Sequence, residues 1–79
     1  MLTDYIQAAM RQAEYETLED GTIFGRIAVF QGVWANTPDP DSCRDELREV
    51  LEDWILVGLR SRHVLPVVDG IDLNVADVA

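Results

Sequence analysis

The sequence predicts a small two-layer α+β domain, an antiparallel sheet of three to four strands packed on one long helix in the order helix-β-β-β-α-β. Three observations carry that prediction. Two segments place apolar residues at helical spacing, and the stretch between them is rich in β-branched and aromatic residues. That stretch is broken where Asp20-Gly21 and Gly32 permit reversals, and a chain of 79 residues has room for one domain.

The first helix is expected over residues 2–12, because Leu2, Tyr5, Ile6, Ala9, Met10 and Ala13 follow i, i+3, i+4 and i+7 spacing, with Thr3 or Asp4 placed to cap it. A three-stranded meander is expected over residues 14–37. Its strands would be 14–18 and 22–30, joined at Asp20-Gly21, and then Val33-Trp34-Ala35-Asn36-Thr37, which stops at Pro38. Asp39-Pro40-Asp41 is a helix start: Asp39 can accept from the free backbone N–H groups, Pro40 suits the first helical position, and Asp41 favours the positive end of the dipole.

The long helix is expected over residues 40–61. At 100° per residue, Cys43, Leu47, Val50, Leu51, Trp54, Val57 and Gly58 share one stripe, with Asp45, Glu46, Glu49, Glu52 and Asp53 opposite. Ile55, Leu56 and Leu59 fall off that stripe, so the last turns are apolar almost all round. Those three residues are the expected self-association contact. Residues 64–75 read as an extended piece, a turn at Asp69-Gly70 and a final strand. Pro66, without an N–H, confines the first piece to an edge or loop.

Composition narrows the function. A domain this short buries only about 60% of the surface its unfolded chain exposes, and its core supplies roughly 3–5 kcal/mol. Cys43 is the only cysteine, so no internal disulfide and no thiol zinc site can add to that. Self-association into a homodimer or larger oligomer is the remaining support. No apolar run approaches the roughly 20 residues of a membrane span, and the first residues do not read as a secretory signal, so a cytoplasmic protein is expected.

Fifteen acidic residues face six basic ones, all arginine, for a net charge of −9. Residues 1–40 hold six acids against two arginines and residues 41–79 nine against four, so neither half offers the basic surplus that phosphate neutralisation requires. Direct nucleic-acid binding is not expected. A basic protein would be attracted instead, although the charge can also simply keep the chain in solution.

No catalytic, metal or cofactor constellation is visible, and an enzyme is not expected. His63 has no nucleophile at a recognisable spacing and lies near a helix C-terminus beside Arg60 and Arg62, where the dipole favours cations. Cys43 reads as a small core residue. The helix carboxylates read either as a solvated face or, through Glu46, Glu49 and Asp53, as a docking surface for a basic partner. Trp54 reads as core, whereas Trp34, on a short strand after a turn, is a core residue or a partner-binding anchor.

The stretch from Gly32 to Leu59 reads G-V-W-A, a turn, and then C-R-D-E-L-R-E-V-L-E-D-W-I-L-V-G-L. It resembles the HicB-like antitoxin family. The flanking A-A-M-R-Q-A-E-Y-E-T-L-E-D-G-T and L-P-V-V-D-G-I resemble it too, so the likeness covers most of residues 2–73. It rests on the ordered set Asp20-Gly21, Gly32-Val33-Trp34, Glu52-Asp53-Trp54 and Pro66. The resemblance implies a β-β-β-α-β domain, sometimes likened to a partial ribonuclease H fold, that self-associates and neutralises a small basic RNA-cleaving toxin of HicA type. Many members add a C-terminal DNA-binding module. No basic helix follows Gly70 here, so that role is not carried over. The alternatives are an orphan self-associating domain without a toxin, or a minimal magnesium-dependent nuclease.

Overall fold

The computed structural model describes residues 1–73. The element order is α1 (Leu2–Arg11), β1 (Glu14–Thr17), β2 (Ile23–Arg26), β3 (Trp34–Thr37) and α2 (Pro40–Arg60). The three strands form one antiparallel sheet in the order β1-β2-β3. One face of the sheet is covered by α2, with α1 packed beside that helix.

In α1, Tyr5, Ile6, Ala8 and Ala9 are buried. Met1 occupies the N-cap and no side chain caps the helix, so neither Thr3 nor Asp4 plays the expected part. The β1–β2 hairpin pairs Glu14 with Arg26 and Thr17 with Ile23. Its loop turns where Gly21 adopts a φ of +87°, which a side chain would resist. Asp20 fixes that turn by accepting from the Thr22 hydroxyl at 2.6 Å and the Thr22 N–H at 3.0 Å. These bonds, the hydroxyl's foremost, hold its carboxyl below the usual carboxylate range.

The second strand is shorter than the expected 22–30. After Arg26 the chain folds into two successive turns, in which Phe30 N–H donates to the Ile27 carbonyl and Val33 N–H to the Phe30 carbonyl, and Ile27 N–H donates to the Val33 carbonyl across the base of the loop. The reason lies in the spacing of the apolar residues. A strand continued from Gly25 would turn Ile27 and Val29 inward and Phe30 outward. The turns instead bury Ile27, Phe30 and Val33 and leave the smaller Val29 exposed.

Asp39 begins α2 as its N-cap, accepting from Ser42 N–H at 2.8 Å and the Ser42 hydroxyl at 2.7 Å, and Pro40 fills the first helical position. The buried line of α2 is Cys43, Leu47, Leu51, Ile55 and Gly58. Ile55 is 2% exposed, so it belongs to the core and cannot serve as the expected self-association contact, whereas Val57, expected on the stripe, is 58% exposed. Successive i+4 steps drift around the helix. Following the ridge from Cys43 therefore brings Ile55 into the core and turns Val57 away.

Phe30 joins the layers, meeting Tyr5 of α1 edge-on at 6.2 Å and Trp54 of α2 edge-on at 5.0 Å between ring centroids. Past α2, Arg62 takes a left-handed φ of 56°, and His63 N–H donates back to the Gly58 carbonyl to close the helix end.

No fourth strand joins the sheet among the described residues. The turn at Asp69-Gly70 forms, but it closes with a single pair of bonds between Val68 and Ile71. The segment is held by side chains instead: Leu65 and Val68 are buried, and the Pro66 carbonyl accepts from the Tyr5 hydroxyl at 2.6 Å. Residues 74 and 75 of the expected strand lie outside the described residues.

Candidate functional site

The register of the sheet decides which residues share a face. Opposite partners in an antiparallel pair point the same way. Tyr15, Gly25 and Ala35 therefore face α2, as do Thr17, Ile23 and Thr37. The other face carries Glu14 and Glu16 of β1, Phe24 and Arg26 of β2, and Trp34 and Asn36 of β3. Among the described residues no element packs over it.

At the centre of this outer face Phe24 and Trp34 stack, with centroids 6.0 Å apart and planes 26° apart. Trp34 is 54% exposed, so it is not a core residue. The stack is held from below by the hairpin register and from the side by Asn36, whose amide donates to the Thr22 hydroxyl at 2.9 Å and the Ile23 carbonyl at 3.0 Å. Glu14, Glu16 and Arg26, all exposed, border it and with Phe24 and Tyr15 line a shallow depression of about 300 Å³. The outer face thus presents a stacked aromatic pair to solvent among two carboxylates and one guanidinium.

The expected partner-binding residues do not come together. Glu46, Glu49 and Asp53 are exposed on the side of α2 turned away from the sheet, so the whole thickness of the molecule separates them from Trp34. The acids that do share a face with Trp34 are Glu14 and Glu16. Strand alternation counted outward from the Asp20-Gly21 turn contains that signal, since it sets Phe24 and Trp34 on one side with both glutamates.

Leu56 and Leu59, the other two expected self-association residues, are 54% and 41% exposed. Three residues apart, they are neighbours on the solvent side of α2: Leu56 stands among Glu49, Glu52 and Asp53, and Leu59 lies toward Arg48. Arg48 pairs with Glu52 at 3.8 Å between exposed atoms, a contact worth little.

Cys43 is fully buried with its thiol toward the Ile23 and Ala35 carbonyls, both at 3.7 Å. Reactive thiols sit in accessible, electropositive surroundings, which this one lacks. Among the described residues no three of His, Cys, Asp and Glu are grouped to hold a metal ion, and no helix is long and apolar enough to cross a membrane.

The model of the UPF0150-like family matches residues 4–66. The chain belongs to the UPF0150-like family. The match takes in α1 from its third residue, the whole sheet and α2, and ends at Pro66, whose carbonyl accepts from Tyr5. The fold is also that of the crystal structure of TTHA0281 from Thermus thermophilus, at 32% identity and a TM-score of 0.88, covering 95% of this chain and 94% of that one. A comparison with curated proteins finds no match.

Proposed function

We propose that this member of the UPF0150-like family is an antitoxin-like binding protein that self-associates and neutralises a small basic RNA-cleaving toxin of HicA type by covering its active surface. The observation that carries this reading is the Phe24–Trp34 stack, open on the outer face of the sheet beside Glu14 and Glu16. A large aromatic pair supplies the apolar anchor. The carboxylates beside it favour a basic surface and raise the rate of encounter, as does the net charge of −9. The resemblance of Gly32–Leu59 to HicB-like antitoxins points to the same partner.

The test is to co-express the protein with a small basic RNA-cleaving toxin of HicA type and to measure complex formation and residual RNA cleavage. Wild type is expected to bind and silence the toxin. Trp34→Ala is expected to weaken binding about thirtyfold, the cost of a lost interface anchor of about 2 kcal/mol, and Glu46→Ala to leave it unchanged. Toxin that cleaves RNA undiminished beside the wild-type protein refutes the reading. Binding that survives Trp34→Ala moves it to another face.

A further inference from the structure

We infer that two copies of this chain associate about a two-fold axis with α2 of one lying antiparallel to α2 of the other, along a groove formed by Val50, Asp53, Trp54, Val57, Gly58 and His63. This rests on the self-association included in the proposed function, and it names the face. The groove, of about 390 Å³, is walled mainly by apolar groups. Trp54 is fixed there from beneath by its edge-on contact with Phe30, and Val57 stands at the rim, 58% exposed.

The identity of the occupant follows from the order of charges. Val50, Asp53, Val57 and Arg60 are spaced three, four and three residues apart, so they form one stripe on α2. Asp53 and Arg60 lie seven residues, about two turns, apart on that stripe. A two-fold rotation centred between them brings Asp53 of each copy to Arg60 of the other, with the two Val57 side chains beside the axis. A parallel pairing would set aspartate on aspartate and arginine on arginine. A surface complementary to itself in this manner is what an isologous dimer contact requires.

The test uses the full chain and measures mass by sedimentation equilibrium over a range of concentrations. Wild type is expected to be a dimer, and Val57→Glu to raise the dissociation constant at least about tenfold with an unchanged circular dichroism spectrum, since the residue is at the surface. Asp53→Arg and Arg60→Asp each place like charges opposite one another twice, and each is expected to be largely monomeric. An equimolar mixture of those two variants restores both pairs and is expected to recover the dimer. Wild type that stays monomeric at every concentration refutes self-association itself. A dimer indifferent to Val57→Glu, or one that the mixture fails to recover, refutes the groove and its antiparallel arrangement while leaving the toxin reading standing.

Discussion

Gly25 sits where the inner face of the sheet meets α2. A Cβ there would lie 2.9 Å from the Cys43 Sγ and 2.9 Å from two ring carbons of Tyr15. Both neighbours are constrained, Cys43 by burial in the helix and Tyr15 by the hairpin register. Gly25→Ala is therefore expected to destabilise the protein by about 1–3 kcal/mol in denaturant unfolding, the usual cost of overpacking. Nothing around Gly25 in the sequence announces this, because the crowding comes from a residue on another element. Asp39 is the contrary case. Its part was legible in Asp39-Pro40-Asp41, since helix capping is a local matter. The Ser42 bonds, the backbone one foremost, hold its carboxyl below the usual range. A depressed folded value means the contribution is present above the unfolded value of about 3.8 and is lost as the pH falls through the folded one. In acid titration, the stability of wild type relative to Asp39→Asn, which keeps a neutral cap, is thus expected to be constant from about pH 5 upward and to fall as the pH drops through the folded value.

At the scale of elements, the hydrophobic period revealed that α2 exists and roughly which side is apolar, but not its rotation. The expected stripe took in Val57 and left out Ile55, and the structure reverses both. A count at 100° per residue describes an isolated helix. The rotation of this one is set by the ridge that fits the sheet, and by Leu65, which fills the space a Cβ on Gly58 would occupy. Ile55→Ala is expected to cost about 2–5 kcal/mol, and Leu56→Ala, one residue along and half exposed, to stay within about 0.5 kcal/mol. Chemical denaturation of the two variants checks the assignment directly. The short β2 was hidden for a related reason. Ile27-Ala28-Val29-Phe30 has strand composition, and only the demand that Phe30 reach both Tyr5 and Trp54 turns it into a loop.

For the whole molecule, the contact hardest to foresee is that between Tyr5 and Pro66, 61 residues apart. Burial, then the charge of Asp72, pushes the Tyr5 phenol up, which keeps it protonated as the bond to the Pro66 carbonyl requires. Arg11 and Asp69 add an exposed pair at 3.3 Å nearby. Sequence suggested a strand region for residues 64–75, because their β-branched content is high; the described part has no ladder, and Leu65 and Pro66 meet Gly58 and Tyr5 of the helices instead. Tyr5→Phe is expected to lower stability by about 0.5–1.5 kcal/mol and to speed hydrogen exchange in residues 67–73 more than in α2.

The separation of the outer sheet face from the solvent side of α2 also bears on stoichiometry. Two copies joined back to back along their helices would hold both aromatic patches outward, each free to take its own ligand. Such a particle is bivalent, so titration calorimetry should return one toxin per protomer. On a surface coated densely with toxin it should dissociate far more slowly than from a single toxin in solution, by avidity. Val57→Glu should abolish that retention while leaving the affinity of each patch intact.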